Sequence, residues 1–162
     1  MTTVRLPKMG EKEIETLISR QNICRIAFND SKYPYMAPFQ YVRIDRALYF
    51  HFTDYGRKMR LLGKDSRVCV GIERFEPDLS EYNFIVLRGK LRLVDDPSER
   101  ARAIEKMADE GRSLSTNFLA AHGFESGSDW SSFTPDKPIT IVKLDEVDEV
   151  IGLRSPQHNR SS

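Results

Sequence analysis

Six short apolar segments separated by turn-forming residues dominate the pattern of this sequence. They cover Ile23 to Phe28, Tyr35 to Ile44, Ala47 to Thr53, Arg67 to Phe75, Asn83 to Val94 and Ile139 to Leu144. Segments of this length and spacing are typical of antiparallel strands, whereas alternating strand–helix units and a GxGxxG motif are both missing. The pattern predicts a closed antiparallel barrel and argues against a Rossmann dinucleotide-binding domain.

Three helices accompany these strands. Apolar residues at helical spacing predict the first over Glu11 to Arg20, and Gly56 begins a second that runs to about Gly63. A long third helix begins at Asp95-Asp96-Pro97, where proline suits the first turn. With 162 residues, the chain is expected to form one domain over 1–153, followed by a polar, disordered tail over 154–162.

Charge and cysteine content narrow the functional class. Lys and Arg together number 25 against 24 Asp and Glu, a balance that argues against nucleic acid as the main partner. No apolar run approaches the roughly 20 residues of a membrane span, and no signal peptide is evident, so we expect a cytoplasmic protein. Cys24 and Cys69 both lie in apolar runs and are expected to be reduced, buried thiols, and no cluster predicts a metal site.

The segment Met36-Ala37-Pro38-Phe39-Gln40 is the first candidate for chemistry. Proline cannot donate to a strand ladder, so Pro34 and Pro38 mark an edge or a bulge. Free backbone groups there could pair with a planar heterocycle. The same residues could equally protect an edge strand against aggregation.

His51 is the second candidate. Alternation along the third strand places Leu48, Phe50 and Phe52 on one face, towards the core, with His51 on the other beside Thr53. A histidine in that place could donate a proton or a hydrogen bond to a ligand, or could simply be solvated.

The third candidate is Gly56-Arg57-Lys58, at the start of the second helix. Free N–H groups and the positive end of the helix dipole attract anions there. Two cations at a helix start oppose the dipole unless an anion is present, and Arg can grip phosphate oxygens in a bidentate manner.

Taken in order, these clusters resemble the pyridoxamine-phosphate-oxidase-like FMN-binding split-barrel superfamily, and within it the nitroimidazole-resistance (Nim-type) flavoproteins. The resemblance runs from about Lys8 to Asp96. The segments that carry it are Met9 to Ile14, Ile26-Ala27-Phe28, Tyr33-Pro34-Tyr35 with Pro38, Leu48-Tyr49-Phe50-His51, Gly56-Arg57-Lys58 with Leu62, Arg67-Val68-Cys69 and Arg88-Gly89-Lys90.

The resemblance implies a mainly β fold with helices (α+β), a six-stranded antiparallel split β-barrel of Greek-key type, which binds FMN at a homodimer interface. It implies an isoalloxazine ring lined by Met36, Ala37, Pro38, Phe39 and Gln40, and flanked by His51, Phe52 and Thr53. It also implies that Arg57 and Lys58 hold the phosphate, and Arg88 and Trp130 are candidates to complete the site from the other subunit.

The function implied is an FMN-dependent oxidoreductase that relays electrons from a reduced nicotinamide or similar donor to a nitro compound, a quinone or a flavin, with His51 as the catalytic residue. The carboxy-terminal Arg-Leu-x-Pro stretch of true pyridoxamine phosphate oxidases is replaced here by Gly152-Leu153-Arg154-Ser155-Pro156-Gln157, so oxidation of vitamin B6 is not expected. The alternatives are a flavin sensor or store without turnover, a haem-binding relative that uses His158, and a relative that binds the deazaflavin F420.

Overall fold

The computed structural model describes residues 5–114 and 129–156 of the chain. Within them the strands are β1 (Ile23–Phe28), β2 (Tyr35–Ile44), β3 (Ala47–Phe52), β4 (Arg67–Phe75), β5 (Tyr82–Leu93) and β6 (Thr140–Arg154). The helices are α1 (Glu11–Arg20), α2 (Arg57–Lys64) and α3 (Pro97–Leu114), and a short 3₁₀ turn spans Trp130–Ser132. All strand pairs are antiparallel and close a barrel in the order β1-β2-β3-β6-β5-β4, which confirms the predicted fold.

The barrel interior is filled by every second residue of its strands, because side chains alternate between the two faces of a strand. On β1 the buried positions are Cys24, Ile26 and Phe28, and on β3 they are Leu48, Phe50 and Phe52. Helices α1 and α2 cover this core and contribute Leu17, Ile18 and Leu61 to it.

A second core lies on the outside of the barrel, beneath α3 and the 3₁₀ turn. Ile104 and Met107 of α3 pack with Trp130 and Phe133 in the same cluster as Val42, Tyr49 and Ile141 of the strands. The outer face of β3, which the sequence marked as polar, is therefore covered.

Polar contacts fix α3 to the strands at its first turn. The Tyr49 hydroxyl donates to Glu99 Oε1 at 2.8 Å, and Lys143 Nζ donates to the same oxygen at 3.0 Å. Both contacts favour the carboxylate, so the pKa of Glu99 is held below its usual value, first by the Lys143 hydrogen bond and then by Tyr49.

The β2–β3 hairpin turns on the two residues that lie between the predicted strands. Ile44 pairs with Ala47, and the residues between them, Asp45 and Arg46, have positive φ angles of 49° and 70°. Positive φ at both central residues is the conformation whose twist matches that of antiparallel strands.

The predicted end of the last strand at Leu144 is wrong, because β6 continues to Arg154. Its register against β5 shifts between Arg88 and Lys90, and Glu146 has a φ of 43°. A Cβ at Gly89 would lie 3.0 Å from the Asp145 carbonyl oxygen, so glycine permits this close approach of the two backbones. The bulge interrupts the alternation of apolar and polar residues on which the prediction of this strand rested. The predicted tail began at residue 154, but Arg154 belongs to β6. The rest of that tail from residue 157, including His158, lies outside the described residues.

The two cysteines differ, and the expectation that both are buried is wrong for Cys69. Cys24 faces the barrel interior, whereas Cys69 is exposed because Val68 and Val70 occupy the inward positions of β4. Burial raises the pKa of the Cys24 thiol to about 12. No helix in residues 5–114 or 129–156 is long and apolar enough to cross a membrane.

Candidate phosphate and ring site

The start of α2 is an open cationic site. Gly56 precedes the helix with a φ of 92°, a conformation that favours glycine, and the first turn has neither a side-chain cap nor an acidic residue. Its first N–H groups therefore have no capping side chain, and Arg57 and Lys58 are the first two helical residues. Uncapped N–H groups beside two cations form an arrangement suited to a phosphate.

Arg57 is held by the turn between β1 and β2. Its Nε and Nη2 both donate to Asp30 Oδ2, at 3.1 Å and 2.5 Å. The guanidinium also lies over the Tyr35 ring, 4.7 Å from its centroid. The hydrogen bonds from Arg57, followed by that from the Ser31 N–H, keep the pKa of Asp30 below its usual value, so the carboxylate is ionised near neutral pH.

Lys58 lies over aromatic side chains and has no carboxylate partner in the part of the chain that the structure describes. Its Nζ is 5.0 Å from the Phe39 ring centroid and 5.8 Å from that of Phe52, and these two rings stack at 4.9 Å. Partial burial lowers the pKa of Lys58. A partly desolvated cation of this kind gains more from a bound anion than a solvated surface lysine does.

The segment expected to line a ring is divided between the two faces of β2. Met36 and Pro38 are exposed, and Gln40, which alternates with them, is buried. Ala37 and Phe39 point towards the interior, where Phe39 belongs to the barrel core. Only the outward-facing residues of this segment are placed to contact a ligand on the barrel surface.

His51 and Trp130 lie on the α3 side of the barrel. The imidazole of His51 meets the Phe133 ring edge to face at 5.3 Å, and Phe133 meets the Trp130 ring at 5.6 Å. Trp130 is buried against Gly111 of α3. The histidine is therefore partly buried and packed, while Thr53 donates to the Tyr55 carbonyl in the loop before α2 at 3.0 Å.

Arg88 borders a different depression, a cavity of about 700 Å³ on the outside of β4 and β5. Its Nη1 donates to Glu149 at 2.7 Å. The exposed Cys69 also lines this cavity, which extends to Asn29 and Pro34 in the β1–β2 turn. Arg88 is thus on the side of the barrel that the β1–β2 turn borders, whereas Trp130 lies beneath α3.

Sequence reasoning missed Asp30 and Tyr35 as neighbours of Arg57. Asn29-Asp30-Ser31 signalled a turn, and nothing in the sequence linked that turn to a helix 27 residues further along.

Comparison with known proteins adds a family and a set of folds. A family model described as Pyridoxamine 5'-phosphate oxidase matches residues 10–118. No curated protein matches the chain in sequence.

Among solved structures, an FAD-binding protein from Mesorhizobium loti has a TM-score of 0.68 at 16% identity, with 94% of this chain and 98% of that one covered. A conserved hypothetical protein from Mycobacterium tuberculosis has a TM-score of 0.73 at 14% identity, with 99% and 98% covered. A proposed 5-nitroimidazole antibiotic resistance protein from Bacteroides thetaiotaomicron has a TM-score of 0.60 at 19% identity, with 97% and 98% covered. At these identities the likeness is one of fold.

Proposed function

The chain belongs to the pyridoxamine 5'-phosphate oxidase family, as its sequence predicted, and on that premise we propose that it is a flavoprotein whose Arg57 and Lys58 hold the phosphate of FMN. The observation that carries this proposal is Lys58, a partly buried cation without a carboxylate partner among the described residues, in the first turn of a helix whose N-terminus has no side-chain cap.

The residues present fit a phosphate monoester. Lys58 and the free N–H groups of α2 supply donors that have no protein acceptor of their own among the described side chains, and Arg57 is more than half exposed beside them. Charge-assisted hydrogen bonds to phosphate are stronger than neutral ones, and the helix dipole adds to them.

The apolar part of the flavin would lie on the outer surface of the barrel. Met36 is 62% exposed and Ile23 is 44% exposed, and both lie on the outward face of the β1–β2 pair. We propose that this surface meets a second copy of the chain in a homodimer, so that the ring is excluded from water. Arg88 of the other subunit, which is exposed, would then complete each site, whereas Trp130 is buried within its own subunit.

In this proposal the protein is an oxidoreductase. Bound flavin would supply the ability to accept two electrons from a reduced nicotinamide or similar donor and pass them to a nitro compound, a quinone or a second flavin. Arg57 and Lys58 fix the phosphate end, Met36 and Pro38 pack against the ring, and His51 holds a proton for the acceptor.

FAD is a second candidate cofactor, because the Mesorhizobium loti protein of the same fold is named as FAD-binding. The spectrum of the purified protein, followed by extraction of whatever colours it, separates these cases. Flavin bands with FMN in the extract are expected. FAD in the extract would show that FAD, and not FMN, is the cofactor. A Soret band would indicate haem, and a colourless protein that takes up no flavin would overturn the proposal.

The phosphate assignment has a direct test. Each charge-assisted hydrogen bond contributes about 1.5–3 kcal/mol, so Arg57→Ala combined with Lys58→Ala should weaken FMN binding about 100-fold or more. Lys64→Ala removes a cation from the last turn of the same helix and serves as the matched control, with FMN affinity unchanged. Equal affinity of the wild type for riboflavin and FMN would contradict the assignment, and a stable, flavin-loaded monomer by light scattering would contradict the dimer.

A further inference from the structure

The carboxylate of Asp30 contacts the proposed phosphate site through Arg57. Its Oδ2 takes both hydrogen bonds from the Nε–Nη2 edge of Arg57, while its Oδ1 accepts the Ser31 N–H at 2.9 Å. Since the hydrogen bonds to Asp30 use Nε and Nη2, Nη1 of Arg57 is left without an acceptor among the described residues, and one face of the guanidinium lies on Tyr35. The two hydrogen bonds to Asp30 therefore orient Arg57, and the carboxylate partly neutralises its charge.

The charges around Asp30 can be named. Arg60 on α2 also lowers the pKa of its carboxyl group, and Asn29 donates to Asp65, which is itself paired with Arg67. The Asp30 side chain is only 17% exposed, so water screens it less than it screens the 52% exposed Arg57. An anion bound at the start of α2 would feel this carboxylate across the shared guanidinium.

We propose that Asp30 is a specificity-determining residue, which sets how strongly the site prefers a charged phosphate. The proposal rests on the proposed function, since it concerns the same site. A site with two cations and no acid would hold the phosphate more tightly. With Asp30 in place, part of the attraction of Arg57 is already taken by a protein carboxylate.

The proposal predicts a graded response to the charge of the ligand. Coulomb energy is proportional to the charge of each partner, so removing one negative charge from the protein changes the binding energy of a dianion twice as much as that of a monoanion. The fold-gain in affinity for the dianion is therefore the square of the fold-gain for the monoanion. The FMN phosphate loses its second proton near pH 6, whereas Asp30, with its pKa lowered, stays ionised on both sides of that value. Asp30→Asn keeps an oxygen acceptor for Arg57 and removes only the charge.

The test measures dissociation constants of riboflavin and FMN with the wild type, Asp30→Asn and Asp30→Ala at pH 5.5 and 7.5. With Asp30→Asn we expect unchanged riboflavin affinity, FMN affinity raised about threefold at pH 5.5, and about tenfold at pH 7.5. Asp30→Ala, which also frees Arg57 from its anchor, should gain less. Asp78→Asn, at an exposed aspartate that accepts a backbone N–H in a different turn, is the control and should change nothing.

Each result decides a different point. If wild-type protein binds neither flavin, or both equally, the phosphate site itself is wrong. If the wild type prefers FMN but Asp30→Asn binds it no better or more weakly, Asp30 only positions Arg57 and the proposal is overturned. If riboflavin and FMN gain equally, the effect is structural, and the specificity role is likewise overturned.

Discussion

Gly111 provides a sharp test of the second core, because it leaves no room for a side chain. A Cβ at this position of α3 would lie 1.9 Å from Cζ2 of Trp130, within the ring's own space. Trp130 is buried and braced by Phe133, so the indole cannot swing freely aside. Gly111→Ala must therefore displace the indole by about 1.5 Å to restore a normal van der Waals contact.

Two opposing terms set the size of the effect. Overpacking of this kind costs about 1–3 kcal/mol, whereas replacing glycine by alanine within a helix returns about 0.4–1 kcal/mol. We expect a net loss of about 1–2 kcal/mol for Gly111→Ala, which lowers the melting temperature by about 2–8 °C in a domain of this size. Gly63 of α2 is the matched control, since a Cβ there meets nothing within 4 Å. Gly63→Ala should be neutral or stabilising.

Urea unfolding of both glycine variants, each with and without Trp130→Ala, measures the coupling free energy between the glycine position and Trp130. Once the indole is removed, Gly111→Ala should no longer destabilise, which gives a coupling free energy of about 1–3 kcal/mol between the two positions. Gly63→Ala should show no coupling. If Gly111→Ala stabilised the protein as Gly63→Ala does, Trp130 would not pack on α3, and the second core as described would be wrong.

Two further predictions concern the outer face of β3. His51→Gln keeps a polar side chain beside Phe133, so flavin content should stay near wild type while steady-state reduction of a nitroaromatic falls about 10²–10⁴-fold; full activity per bound flavin would remove His51 from the mechanism. Glu99→Gln should destabilise the protein at neutral pH because Lys143 loses its anion. Since the folded pKa of Glu99 is lowered, its contribution is present above the usual glutamate pKa and is lost as pH falls through the folded value. Unfolding curves of the two proteins should therefore converge in acid, and a constant difference down to pH 3 would contradict this.

The barrel was predictable from sequence because its strands obey local rules. The bounds of β1, β2 and β4 follow from alternation between turn residues, and the β2–β3 turn follows from its two polar residues. The rule fails after Asp145, because Asp145 pairs with Lys90 and Glu149 with Arg88, which leaves three residues of β6 opposite Gly89 alone. A bulge depends on the strand opposite it, here through Gly89, so the local sequence of β6 does not reveal that the strand continues.

For the site too, the sequence revealed the local features and missed those that depend on distant parts of the chain. Two cations without an acid in a helix's first turn are a local signal, and the structure places Arg57 and Lys58 there. The partners of long side chains are set by the closed barrel, which brings the β1–β2 turn beside α2 and puts Asp30 on Arg57. Sequence alone therefore overstates the positive charge available to a ligand. Lys58, which lies over Phe39, is the cation whose charge no described carboxylate offsets, and it should contribute more than Arg57 to the preference for phosphate.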